Sequence, residues 1–241
     1  MKPHSVDANK AMKQWQKLVE KLKDLGIKVD VIEQREEVPD MVFATDQGIV
    51  KDGAVLLGNF RYPQRKPERV YYREWFRDHG FRLRALSNVF SFEGGDALFF
   101  NNMLLVGTGF RANVASCEEL SQKLNIDVIP LRLVNPYFYH LDMCFLPIDD
   151  ATAFYFPAAF SKNSQNLLNR FVPNLLEFTP AEAKAFGANS FISGEDIIIP
   201  SKAPESFAKK LNELGMRIHK VDVNEFNKAG GGIHCLINTL E

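Results

Sequence analysis

An α/β ring of five small sheets with helices on the outside is the fold this sequence predicts. Three observations carry it. One order of elements (helix, strand, then hairpin) recurs five times along the 241 residues. A marker on the strand before each hairpin turn, Asp46, Glu93, His140, Asn189 and Cys235 in order, recurs at intervals of 47, 47, 49 and 46 residues. A period of that size signals an array, a solenoid or a propeller. Finally, four of the five markers are an acid, an acid, an imidazole and a thiol, where a purely structural ring would carry interchangeable filler. A generic α/β fold is the competing reading, because the units share order and spacing but negligible sequence identity.

The elements follow from local pattern. "ANKAMKQWQKLVEKLKDLG" is amphipathic at helical spacing and stops at Gly26, a good C-terminal signal. "IKVDVIE" alternates as a strand, and "MVFATDQGIV", a turn at "KDG", and "AVLLG" form a hairpin. The second pass is "ERVYYREWFRDHG", "FRLRAL", "FSFEGGDALFF", a turn at "NN", and "MLLVG". "ANVASCEELSQKLN", "IDVIPLRL", "FYHLDMCFL", "DD" and "ATAFYF" make the third. The fourth runs "SKNSQNLLNRF", "LLEF", "GANSFI", "SGE", "DIIIP". The fifth is "PESFAKKLNELG", "MRIHKV" and "GGGIHCLINTLE", with no second hairpin strand. In a ring that strand should come from ahead of the first helix, yet "MKPHSVDAN" shows no strand pattern. The expectation is one domain over 1–241, five units of ~47 residues, with an N-terminal strand missing and the Cys235 strand an unpaired edge.

Composition narrows the class. The chain is 46% hydrophobic and 24% charged, ordinary for a globular protein with a real core. A net charge of −1 favours neither nucleic acid nor an acidic membrane as partner. No apolar run approaches a membrane span, and the first residues are no signal peptide. Three cysteines, Cys117, Cys144 and Cys235, make no disulfide framework, so a cytoplasmic location is expected. No CxxC, HxxxH or HExxH spacing supports a metal site.

Strands round an axis would bring the markers together at its centre, giving a nucleophile, a base and two anions for a cationic substrate. Cys235 could be a small buried hydrophobe, but "GGG" before it lets backbone or ligand come close. His234 is set aside as its base, since neighbouring strand residues face opposite ways. The same alternation puts His140, Asp142 and Cys144 on one face. Cys144 is a poor rival nucleophile, roughly 13 Å along the strand from His140. Cys117 reads as helix core. "EGGD" (Glu93 to Asp96) and Asp46 each read singly as turns; their common phase in the repeat gives them weight.

In that order, "PDMVFATD", "FEGGD", "FYHLD" and "GGGIHC" resemble the penteins that modify guanidino groups: arginine deiminases, dimethylarginine dimethylaminohydrolases and amidinotransferases. The resemblance spans nearly the whole chain and implies a five-bladed, pseudo-symmetric ββαβ propeller. It implies that Cys235 attacks the guanidinium carbon, that His140 protonates the leaving amine and then activates water, and that Glu93 holds the guanidinium and orients His140. By the same resemblance Asp46 binds the guanidinium, Asp40 an α-amino group, and Arg65 with Arg111 the α-carboxylate, Arg61 and Arg69 lying nearby as competitors. Asp96 and Phe43 are further candidates, Asp96 without a clear role. No metal or organic cofactor is implied.

The chemistry is sensible in its own right. Carboxylates hold a planar guanidinium for attack, and a bound cation favours the thiolate. Asp142 needs N–H donors, which an asymmetrically dimethylated nitrogen lacks, so a free guanidinium such as arginine is expected. Open alternatives are an amidinotransferase, a non-catalytic pentein binding protein, and an unrelated Cys-His thiol hydrolase that leaves the anions without purpose. A homodimer is also open.

Overall fold

The computed structural model describes residues 6–87 and 89–240. Among the described residues, four three-stranded sheets repeat one topology: an antiparallel hairpin, a crossover helix, and a third strand parallel to the hairpin's second. After helix α1 (Ala8–Asp24), the first unit is β1 (Gly48–Lys51), β2 (Ala54–Leu57), α2 (Glu68–Asp78) and β3 (Arg82–Ala85). The second is β4 (Ala97–Phe100), β5 (Met103–Thr108), α3 (Ser116–Leu124) and β6 (Asp127–Arg132). The third is β7 (Phe145–Pro147), β8 (Thr152–Tyr155), α4 (Lys162–Phe171) and β9 (Asn174–Glu177). Short α5 (Pro180–Lys184) leads to the fourth: β10 (Phe191–Ser193), β11 (Asp196–Pro200), α6 (Glu205–Glu213) and β12 (Arg217–Val221). Helix α7 (Asn224–Ala229) precedes the glycine run.

Local chemistry explains the elements. Asp7 caps α1, accepting from the Lys10 amide at 3.0 Å, and Gly26 follows the helix with φ +78°. The β1–β2 and β4–β5 hairpins turn on Asp52-Gly53 and Asn101-Asn102, all four with positive φ, as two-residue turns matched to strand twist require. Each middle strand is apolar and almost wholly buried, sitting between two neighbours and under a helix.

Two expectations need correction. The markers are not on strands. Asp46, Asn189 and Cys235 lie in short 3₁₀ turns (Ala44–Gln47, Gly187–Asn189, His234–Leu236), and Glu93 and His140 cap two more (Gly94–Asp96, Leu141–Met143). These turns adjoin in chain order, and the last packs on the first, closing a hub. Second, "IKVDVIE" forms no strand, because among the described residues no central strand lies beside it to hydrogen-bond. The fifth unit therefore shows its turn and helix α1 but no sheet; residues 1–5 lie outside the described residues. In place of a sheet edge, Asn238 Nδ2 donates to the carbonyls of Ala44 and Gly48 at 2.9 and 3.0 Å.

Apolar side chains bind that unit to the rest. Leu18 and Leu22 of α1 pack in one cluster with Phe226, Ile233, Cys235 and Leu236. Polar contacts lock α1 to α7: Glu225 pairs with Lys10 at 2.9 Å and accepts from the Asp7 amide at 3.0 Å, while Gln14 Oε1 accepts from the Glu225 amide.

Candidate active site

The hub opens on a narrow cleft lined by Asp40, Phe43, Asp46, Arg65, Arg111, Tyr139, His140, Gly230, Gly231 and Cys235. Seven of the ten proposed residues are thus on one wall or another of one cavity. Glu93, Asp96 and Asp142 stand behind that surface, each 1% exposed or less.

His140 is the centre of the charged part. Its Nε2 lies 3.0 Å from Glu93 Oε2 and 3.9 Å from Asp96 Oδ1, and its Nδ1 lies 3.5 Å from Asp46 Oδ1. Burial alone would lower the imidazole's pKa, but Asp46, Asp96 and Glu93 prevail and raise it to about 9. Glu93 shows the reverse balance: burial pushes it up, but His140, Arg111 and Arg65 bring it down to about 2. Asp96 accepts from the Glu93 amide at 3.0 Å, and burial holds its own pKa well above the usual range. This makes the residue without a role the reciprocal partner of Glu93 in the capping of their shared turn, beside His140.

"EGGD" has a steric explanation. A Cβ on Gly94 would sit 1.9 Å from the Thr45 carbonyl oxygen, and one on Gly95 would meet Asp46 Oδ1 at 2.7 Å and His140 Nδ1 at 2.9 Å. The second turn carries glycines because the first turn and the imidazole fill the space of a side chain.

Both arginines lie in the cleft, each held by acids. Arg65 Nη1 donates to Asp46 Oδ2 at 2.6 Å, while its Nε and Nη2 fork onto Glu68 at 2.9 and 2.8 Å. Although burial opposes its charge, Asp46 and Glu68 raise its pKa further. Arg111 Nη1 donates to Glu93 at 2.9 Å, and its guanidinium lies 4.6 Å from each of the Tyr62 and Tyr139 ring centroids. Arg61 instead donates to the Phe110 carbonyl, and neither it nor Arg69 lines the cleft.

Sequence reasoning missed Glu68 and Gln47, which donates to Glu68 at 2.6 Å. Glu68 reads as the exposed first turn of α2, but is 1% exposed. The available signal was its i,i+3 spacing from Arg65.

Cys235 is 3% exposed, and Asn189 Nδ2 lies 3.0 Å from its sulfur. The thiol donates toward Asp142 Oδ2 at 3.4 Å, and Asn189 Oδ1 accepts from the Cys235 amide. Burial first, then Asp142 and Asp46, push the thiol's pKa well up. Because the hub is built of turns, alternation is the wrong rule there. His234 does not point away: its Nδ1 is 3.0 Å from Asp142 Oδ2. Cys144 is likewise not remote, lying 3.6 Å from the His140 carbonyl, but it is fully buried and donates to main chain. Cys117 is buried in α3, as expected.

Asp46, Glu93 and His140 place ligand atoms within 4.8 Å of one another, which could hold a metal ion. Arg65 and Arg111 already neutralise the two acids. No helix among the described residues is long and apolar enough to cross a membrane.

A buried thiol, an imidazolium and a ring of carboxylates at the hub of repeated ββαβ units define a pentein of the guanidino-hydrolase class. The chain belongs to the family described as N,N dimethylarginine dimethylhydrolase, eukaryotic, whose profile matches residues 1–241. It is 34% identical to N(G),N(G)-dimethylarginine dimethylaminohydrolase of Mycobacterium tuberculosis, over 98% of this chain and 77% of that one. It is 35% identical to the bifunctional arginine dihydrolase/ornithine cyclodeaminase AgrE of Nostoc, over 97% of this chain but only 34% of that longer protein. The crystal structure of the N-terminal domain of ArgZ, covalently bound to a reaction intermediate, superposes with TM-score 0.96 at 32% identity, covering 99% of this chain and 89% of that one.

Proposed function

We propose that the protein hydrolyses the guanidino group of free arginine or a close derivative, with Cys235 as nucleophile. A neutral thiol is the resting state at pH 7, since burial, Asp142 and Asp46 all oppose the thiolate. A guanidinium entering the cleft supplies the missing positive charge, so substrate binding and thiol ionisation are coupled. The thiol's proton passes to solvent, and the thiolate then bonds to the guanidinium carbon. His140, protonated at neutral pH, gives its proton to the departing nitrogen as the C–N bond breaks. Ammonia leaves, and a thiouronium remains on Cys235. The now neutral imidazole takes a proton from water, whose oxygen adds to the same carbon. Collapse of that adduct expels the sulfur, which takes the added hydroxyl's proton, returning the thiol and releasing citrulline when arginine is the substrate. Asp46, Asp142 and Glu93 hold the cation, Asp40 meets the α-amino group, and Arg65 with Arg111 the α-carboxylate.

The choice of an unmethylated guanidinium rests on Asp142. Its Oδ1 is buried without a hydrogen-bond partner among the described residues, at a carboxylate whose other oxygen meets Cys235. A substrate N–H satisfies that oxygen; a dimethylated nitrogen leaves it bare, at about 1–3 kcal/mol. The family description favours dimethylarginine as the second reading. Incubation with arginine, monomethylarginine, asymmetric dimethylarginine and agmatine, reading citrulline with ammonia or methylamines, separates them. Faster turnover of dimethylarginine than arginine overturns the first reading. Full activity in Cys235→Ala overturns the mechanism.

A further inference from the structure

The residue before the nucleophile is tied to the same carboxylate as the nucleophile. Asp142 Oδ2 lies 3.0 Å from His234 Nδ1 and 3.4 Å from Cys235 Sγ. Asp142 is 1% exposed, whereas the His234 side chain is 23% exposed, so the imidazole connects a buried anion to solvent. We propose that His234 is a positioning residue: by donating from Nδ1 it orients the Asp142 carboxylate and balances its charge, and so sets the pH at which Cys235 becomes a thiolate. The inference rests on Cys235 being the reactive thiol, and goes beyond it by giving the neighbouring residue a task.

The electrostatics require such a partner. A thiolate at Cys235 would face Asp142 at contact distance, with Asp46 also adding unfavourable interaction. Asn189 donates to the sulfur from the fourth turn but brings no charge. The nearby cations of the cleft, Arg65, Arg111 and His140, are bound to Asp46, Glu68 and Glu93. Besides the thiol itself, His234 is the side chain that meets Asp142 directly, and the carboxylate's second oxygen is left with no partner among the described residues. Its imidazole N–H holds the carboxylate in place and draws its charge away from the sulfur.

The test reads thiol ionisation without turnover. Iodoacetamide labelling of Cys235 in the whole chain, located by mass spectrometry, is followed from pH 7 to 11.5, through the midpoint, in the native protein, His234→Asn and His234→Phe. Asn retains a short N–H donor; Phe keeps bulk without one. Loss of the donor in His234→Phe is expected to move the labelling midpoint up by about one pH unit, a tenfold slower reaction below it, with part of the shift recovered in His234→Asn. In an Asp142→Asn background, adding His234→Phe should move the midpoint no further, because the effect passes through that carboxylate. Superimposable pH profiles for native and His234→Phe proteins overturn the proposal, as does an undiminished shift in the Asp142→Asn background. A uniform change in labelling rate at every pH marks a merely structural role and also overturns it. If Cys235 were instead not the nucleophile, Cys235→Ala would keep its activity whatever the labelling profiles did.

Discussion

Replacing Glu93 by Gln tests the reasoning about the general acid most directly. The substitution conserves shape and removes one charge from the side chain that contacts both His140 at 3.0 Å and Arg111 at 2.9 Å. A hydrogen bond to a charged group contributes about 1.5–3 kcal/mol, which is about one to two pH units of imidazole pKa. His140, raised to about 9 in the native protein, should then titrate at about 7 to 8. Asp46 and Asp96 remain, so it should not fall to the value of a free histidine. Arg111 loses its ionic partner as well. Breaking a buried pair by removing one member costs about 3–5 kcal/mol, and the lower end applies because Arg111 is 14% exposed and stays between two rings. Two measurements check this: an NMR titration of the His140 ring in the ligand-free protein, and urea unfolding. In activity the limb governed by the protonated acid should move to lower pH by the same interval. An imidazole still titrating near 9 in Glu93→Gln refutes the assignment of its charge to Glu93, whatever happens to turnover.

Other expectations follow from the same contacts. Cys235→Ala should abolish citrulline formation while urea unfolding shifts by no more than about 1–2 kcal/mol, since only a small buried thiol is lost. Glu68→Gln should release the fork that holds Arg65, raising KM about tenfold for arginine but little for agmatine, which has no carboxylate to grip. Gly231→Ala should destabilise the fold by about 1–3 kcal/mol and displace Phe43, whose Cε1 lies 2.3 Å from the position of the new Cβ; a crystal structure or melting curve shows this. Stability should also fall as pH rises. His140 has a folded pKa of about 9, above its unfolded value, so its contribution is complete below pH ~6.5 and is lost as pH passes through about 9. Asp96, raised by burial, acts in the same direction from pH ~4 upward. Glu93, depressed to about 2, acts oppositely, its contribution being lost only as pH falls from ~4.5 through about 2. Urea midpoints across pH 4–10 measure the net slope.

Much of this architecture was legible in the chain because its signals are local. The "KDG" and "NN" hairpins, the apolar middle strands and the amphipathic helices each declare themselves within a dozen residues, and the four sheets stand where those signals put them. The chemistry-bearing markers were legible through their phase. What they sit on was not, since a 3₁₀ turn of three or four residues leaves no periodicity to read. That single error propagated. It set His234 aside by a strand rule, and it placed Cys144 far from a residue whose carbonyl it touches. Glu68 was hidden for a different reason: a charged residue at the head of a helix has a sufficient solvent-exposed explanation, and only the fold reveals that it is buried against Arg65. "IKVDVIE" has strand-like alternation but no neighbour among the described residues, and pairing is what turns alternation into a strand.

The glycine run ahead of Cys235 has a meaning beyond pliability. A Cβ at Gly230 would meet the Tyr139 hydroxyl at 2.7 Å, one at Gly231 the Phe43 ring, and one at Gly232 the Asn189 amide at 2.8 Å. Three consecutive vacancies are thus filled by three visitors from different parts of the chain: an aromatic alcohol, a benzene ring and the amide that holds the sulfur. The stretch behaves as a keyed socket, and a larger residue at any notch evicts a different guest. Selection for variants here should therefore yield three separable phenotypes from adjacent codons, one for each displaced group.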